Sequence, residues 1–229
     1  MKTLAIRSAR FFLGVSGVLL LAGSAQAGPP LICHAIEIGQ AKSLPWISHN
    51  WRLTGSENYD VKNLVRNTLA ILDSNAPVLV RMETLRRATL YAQKDSQIAR
   101  ELLTKLHARA ANAEDAGHPD ALAWFDAGYL ASAYEQWLGK DAPNPATGLD
   151  GYALVMKAIR LRGQDAEMEF AAALITLEGP QADHQQHVLK ATAGAKEDPL
   201  LAQNLKSHFI GDGGITIAEM FAKATASKQ

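Results

Sequence analysis

The chain has 229 residues, with 23 basic and 23 acidic side chains and one cysteine. This balanced charge argues against a nucleic-acid partner, because binding to phosphates needs a basic excess or a basic stripe. A single cysteine excludes an intramolecular disulfide, so a buried core must stabilise the fold. A chain of this length can bury one such core, or two small ones.

Residues 1–27 have the pattern of a cleavable secretory signal peptide. Three basic side chains come first, an uncharged apolar stretch follows over residues 11–21, and Ala25-Gln26-Ala27 is a small-x-small cleavage site. A transmembrane anchor is the less favoured alternative, because the apolar stretch is shorter than the roughly 20 residues that span a bilayer. We therefore predict cleavage after Ala27 and a periplasmic or secreted protein with no stable membrane insertion. The remaining chain would hold 20 basic and 23 acidic side chains, a net charge of −3.

Residues 28–55 form the least helical part of the chain. Pro29 and Pro30 favour an extended start, because proline fixes its own φ and restrains the preceding residue. The apolar run that follows is too short to be assigned as strand or helix. Trp46 and Trp51 indicate that this extended N-terminal segment packs across a helical body.

Residues 56–229 are predicted to form an all-α domain of about nine helices. Apolar side chains recur at helical spacing, first in the stripe Val61, Leu64, Val65, Thr68, Leu69 and Leu72. Aspartates precede several of these stripes as N-caps, namely Asp60, Asp95, Asp150 and Asp165. Breakers at 139–150 mark a possible seam between two sub-bundles. The architecture is either an irregular helical bundle or a degenerate array of helical hairpins.

The helix predicted from residue 119 to about 138 is apolar on nearly all sides, which is typical of a central, buried helix. Gly128 within it would let a neighbouring helix approach closely. Trp124 and Gly128, four residues apart, resemble the first helix of a tetratricopeptide repeat, although Ala127 and Ala131 stand where that motif has Leu and Tyr. The resemblance covers this one helix. It implies stacked helical hairpins, as in HEAT-type arrays, with an extended binding surface.

Two pairs of residues are candidate metal ligands. Cys33 and His34 are sequence neighbours whose thiolate and imidazole suit zinc or copper, and a thiol beside an imidazole can also act as a nucleophile. Against this, a lone cysteine is most often a small buried apolar side chain. His184 and His187 share one face of a helix at i and i+3, with His208 on the next helix, whereas the alternative is a solvated polar face.

Two larger groups are also candidates for binding. The arginines Arg81, Arg86, Arg87, Arg100 and Arg109 are able to bind an anion, but acidic neighbours favour ion pairs on helix surfaces. The aromatic residues Trp46, Trp51, Trp124, Tyr134 and Trp137 are able to line a pocket for a sugar or an apolar ligand, but their helical spacing favours the core.

No nucleotide-binding, hydrolase or zinc-protease motif is present in the sequence. We therefore expect an exported, non-enzymatic scaffold that binds a protein or peptide, with no cofactor. The alternative is a small-molecule or metal-binding protein, or an enzyme, that uses Cys33 and His34. A third interpretation is that the N-terminal segment docks on a partner or cross-links through Cys33. The sequence leaves the oligomeric state and the identity of the partner open.

Overall fold

A computed structural model describes residues 28–47, 53–73, 75–138 and 143–210. Within these ranges the fold is an all-α helical bundle without a β-strand, as predicted. Residues 1–27, Trp51, the first part of the 139–150 seam, and the helix predicted after Thr216 lie outside them. None of the described helices is long and apolar enough to cross a membrane.

Nine α-helices follow one another in the described part of the chain. They are α1 (Pro30–Cys33), α2 (Leu64–Asp73), α3 (Val78–Ala92), α4 (Ser96–Asp115), α5 (Ala121–Trp137), α6 (Gly151–Arg162), α7 (Ala166–Ile175), α8 (Gln181–Gly194) and α9 (Pro199–Leu205). A 3₁₀ turn (Val61–Asn63) leads into α2, and a π turn (Lys206–Ile210) follows α9.

Aspartate side chains determine where most of these helices begin. The N-caps predicted at Asp60, Asp95, Asp150 and Asp165 are confirmed, since each carboxylate accepts a hydrogen bond from a backbone N–H of the first turn. Each such cap contributes about 1 kcal/mol to helix stability. Helix α5 begins two residues later than predicted from Pro119, because Asp120 is its N-cap and precedes the first helical residue.

Helix α5 is the centre of the bundle, as its all-round apolar pattern predicts. It packs against α1, α3, α4, α6 and α7. Its crossing with α6 is very close, because Gly128 on α5 and Gly151 on α6 meet backbone to backbone. This confirms the role predicted for Gly128.

The N-terminal segment lies across this body, as predicted from its tryptophans. Its only regular element in the described residues is the single turn of α1. Leu31, Ile32, Ile36 and Leu44 are buried in the same core as the helices. The segment therefore acts as an integral layer of the fold.

Candidate functional site

The N-terminal segment is held by a cluster of charged side chains on α3. Glu83 is fully buried and accepts hydrogen bonds from Arg86 Nε at 2.7 Å, Arg87 Nε at 2.6 Å and the backbone N–H of Ile36 at 2.9 Å. Burial alone would raise the pKa of Glu83, but the two guanidinium groups outweigh it and hold the pKa below its usual value.

The same arginines also bind carbonyl oxygens of the segment. Arg86 donates to the carbonyl of Ile32 at 2.9 Å, and Arg87 donates to that of Leu44 at 2.6 Å. Further along, Asn204 of α9 makes two hydrogen bonds with the backbone of Glu37, at 2.8 and 2.9 Å. Side chains of α3 and α9 thus satisfy backbone groups that an extended segment cannot pair by itself.

The surface location predicted for the arginine group is wrong for Arg81 and Arg86, which lie in the core. Arg100 is exposed, and the half-buried Arg109 forms an ion pair with Asp73, as predicted for a helix surface. Arg81 and Arg86 are 1% and 2% exposed. Arg81 Nη1 lies 2.6 Å from Asp126 Oδ2, and its other nitrogens donate to the carbonyls of Ala76 and Leu72. Full burial raises the pKa of Asp126 to about 7 despite the attraction of Arg81. Acidic partners on α3 and α5 allow these charges to be buried.

Cys33 and His34 lie where α1 ends, at the edge of the segment, and both are half-buried. Burial raises the pKa of the Cys33 thiol, and the charge of Arg86 acts against this. Burial, with a further contribution from Arg86, lowers the pKa of His34. The ring of His208 stands edge-on to that of His34, with centroids 5.5 Å apart. The structure thus brings a second histidine to this pair.

His184 and His187 have separate surroundings. His187 is buried, with Nδ1 2.5 Å from Glu169 Oε2 and Nε2 2.8 Å from the hydroxyl of Tyr152. Nδ1 of His184 lies 2.9 Å from the carbonyl oxygen of Ala173. A metal ion at His187 would therefore have to displace one of two hydrogen-bond partners. In the described ranges, no three or more His, Cys, Asp or Glu side chains form a group that could hold a metal ion.

The aromatic group is divided between the core and the docked segment. Trp124 and Tyr134 are buried in the core, as their helical spacing predicts. Trp46 is half-buried and covers Arg86, with 5.3 Å from the guanidinium carbon to the ring centroid. Its edge-on contact with Tyr91 ties the segment to α3. These contacts stabilise the fold.

One open cleft lies where α3, α7 and α9 begin. Its volume is about 500 Å³, and its lining includes Glu167, Asp165, Asp198 and Arg162. Glu167 caps α3, because its carboxylate accepts from the backbone N–H of Leu79 at 3.2 Å. Burial and the neighbouring carboxylates raise the pKa of Glu167 to about 7. The cleft therefore contains a carboxyl group that titrates near neutral pH.

A second open depression, the α2–α4 groove, has a volume of about 590 Å³. It is lined by Lys62, Val65, Arg66, Leu69, Ala70, Asp73, Ile98, Glu101 and Lys105. Four of these side chains are apolar, namely Val65, Leu69, Ala70 and Ile98, and the other five are charged. Counted from Lys62 in the preceding 3₁₀ turn, the lining residues on this side recur at i, i+3, i+4, i+7, i+8 and i+11, so they form one stripe along the turn and α2.

The sequence analysis did not predict this groove, although its residues Val65 and Leu69 belong to the predicted stripe of α2. The spacing of the apolar residues predicts one stripe on this helix. In the structure Leu64, Thr68 and Leu72 are fully buried, whereas Leu69 is half-buried and Ala70 is exposed. The groove uses only the edge of this stripe, Val65 and Leu69, beside the charged side chains of Lys62, Arg66 and Asp73, so the sequence pattern alone does not mark it.

No protein-family model, no curated protein and no solved structure matches the chain. The resemblance of α5 to a tetratricopeptide helix therefore stays limited to Trp124 and Gly128.

Proposed function

We propose that the protein is an exported, non-enzymatic scaffold that binds a peptide segment of a partner protein in the α2–α4 groove. The observation that carries this proposal is the composition of the groove, an open depression between two helices in which four apolar side chains lie among five charged ones. Grooves of this kind accept an amphipathic segment, whose apolar anchors fill the floor.

The remaining surface supports the same choice of site. Among the described residues, Ile47 and Leu161 are the only large apolar side chains that are strongly exposed, and they belong to different elements. Single exposed apolar residues are normal on a protein surface. The half-buried Leu69 and Ile98 instead share one concave surface. The groove is thus a part of the described surface where apolar side chains of two helices face a partner together.

Export from the cytoplasm is the second part of the proposal. Its support is the charge and hydropathy pattern of residues 1–27, with cleavage after Ala27. N-terminal sequencing of the exported protein tests it. A sequence that starts at Gly28 is expected, and one that starts at Met1 would contradict the assignment.

Selection from a phage-displayed peptide library tests binding in the groove. We expect enriched peptides to bind the mature chain and to lose affinity by at least about tenfold in the variant Ala70→Trp. This change fills the groove from an exposed position on α2. The matched control is Ala153→Trp, at an exposed alanine of α6 outside the groove. Equal binding to all three proteins, or no enrichment, would refute the proposal.

A second candidate function is a metal or small-molecule site at Cys33 and His34. It is favoured by the position of His208 beside His34, but in the described residues these side chains do not form a ready metal-binding group, so a metal would have to rearrange them. Native mass spectrometry with added zinc tests it. One zinc ion per chain is expected, and it should be lost in Cys33→Ser and in His34→Ala but kept in His118→Ala, at an exposed histidine elsewhere. Zinc retained in the first two variants would eliminate this candidate.

A further inference from the structure

The α2–α4 groove also carries a charge pattern that points to one kind of occupant. This inference rests on the function proposed above. We propose that the bound segment is an amphipathic helix of about two turns in contact, with acidic side chains beside its apolar face.

The length of the groove fits a helical occupant. At 1.5 Å per residue, the lining from Val65 to Asp73 covers about 12 Å of α2, and that from Ile98 to Lys105 covers about 10 Å of α4. Two turns of a third helix have this length. Three or four apolar anchors at i, i+3, i+4 and i+7 would then face Val65, Leu69 and Ile98.

The charged side chains that line the groove are not all paired with one another. Two of its carboxylates already have cationic partners. Glu101 pairs with Lys105 at 2.8 Å, and Asp73 pairs with Arg109 at 2.6 Å. These carboxylates therefore offer little attraction to a basic partner.

Two cations remain at the end of the groove where α2 begins. Arg66 donates to the side chain of Asn63 at 2.9 Å, and neither Lys62 nor Arg66 forms an ion pair within the described ranges. The nearest acidic residue in sequence, Asp60, is engaged as the N-cap, where it accepts from the backbone N–H of Lys62 at 3.0 Å. This end of the groove thus attracts a carboxylate of the partner and disfavours a cation.

Charge-matched peptides test the inference. The first probe is a synthetic amphipathic helical peptide with leucine anchors and flanking glutamates. The second peptide is identical except that lysines replace the glutamates. Binding to the mature chain is followed by fluorescence anisotropy at two salt concentrations. We expect the acidic peptide to bind at least about tenfold more tightly than the basic one, with a preference that weakens as salt rises.

The matched variants are two double charge reversals. Lys62→Glu with Arg66→Glu should reverse the preference, so that the basic peptide binds more tightly. Lys94→Glu with Arg100→Glu makes the same change in net charge at exposed positions outside the groove lining, and should leave the preference unchanged.

The outcomes separate the inference from the proposed function. If both peptides bind equally, or if the two reversals act alike, the acidic occupant is refuted while binding in the groove stands. If library peptides that require the groove are neither acidic nor amphipathic, the inference is likewise refuted. If Ala70→Trp does not weaken the binding of any peptide, the proposed function itself is refuted.

Discussion

Replacing Gly128 by alanine tests the closest helix crossing in the bundle. A Cβ atom at this position would lie 2.7 Å from the carbonyl oxygen of Gly151, 2.8 Å from Cβ of Leu154 and 2.8 Å from the backbone nitrogen of Val155. Ordinary contacts of a Cβ atom are at 3.4–4 Å. Two of the three neighbours are backbone atoms, which cannot rotate away, so α6 has to move as a whole.

Two opposing terms set the size of the effect. Alanine is favoured over glycine inside a helix by about 1 kcal/mol. Inserting a methyl group into a closely packed site costs about 1–3 kcal/mol, and the backbone contacts place Gly128→Ala near the upper end of that range. We therefore expect a net loss of about 2 kcal/mol in the free energy of unfolding, or about 4–8 °C in Tm for a chain of this size.

Urea denaturation followed by circular dichroism measures the change. The control is Ala153→Gly at an exposed position of α6, which reports the glycine–alanine difference without the crossing. That variant should lose about 1 kcal/mol. If Gly128→Ala is as stable as the wild type or more stable, the two helices do not approach as closely as the structure has them.

Two further predictions concern the carboxyl groups of Glu83 and Glu167, whose pKa values are shifted in opposite directions. Glu83→Gln should lower the free energy of unfolding by about 3–5 kcal/mol, because it leaves the buried guanidinium of Arg86 and the half-buried one of Arg87 without their carboxylate. Glu101→Gln, in an exposed ion pair, should cost less than about 1 kcal/mol, and similar losses in both variants would contradict the reasoning. The pKa of Glu167 is raised to about 7, so the folded chain binds the proton of this carboxyl group more firmly than the unfolded chain does. The stabilisation that results is complete below about pH 4.5 and is lost as the pH rises through 7. The free energy of unfolding of Glu167→Gln, measured relative to that of the wild type, should therefore rise by about 1–2 kcal/mol between pH 4.5 and 8, after allowance for the partial exposure of Glu167. A difference in unfolding free energy that stays constant over this pH range would refute the raised pKa.

The helical class and most helix starts were predictable because their signals are local. An aspartate followed by an apolar stripe defines an N-cap and a buried face within a few residues, as Asp95 and Asp165 show. The close crossing at Gly128 was also predictable, since a glycine within an apolar helix has few other uses.

The sites were less predictable because they depend on partners far apart in sequence. From the sequence, the arginines of α3 were predicted to lie on the surface. Arg81 is buried because Asp126 pairs with it, and Arg86 is buried because the N-terminal segment covers it. The pairing of His187 with Glu169 and Tyr152 likewise joins three helices. A metal site at His184 and His187 stays a prediction, as does the role of Cys33.

The charged side chains of α3 follow from the docking of a segment with only one helical turn on a helical core. A buried extended strand in a sheet pairs its backbone with neighbouring strands, but this segment lies on helices, whose backbone groups are already paired. The N–H of Ile36 and the carbonyls of Ile32 and Leu44 therefore need side-chain partners, and Glu83, Arg86 and Arg87 supply them. Apolar replacement of a buried ion pair is often neutral or stabilising. Here it would also leave three backbone groups without hydrogen bonds, each at a cost of about 1–3 kcal/mol. The polar cluster is thus required by the segment that it holds.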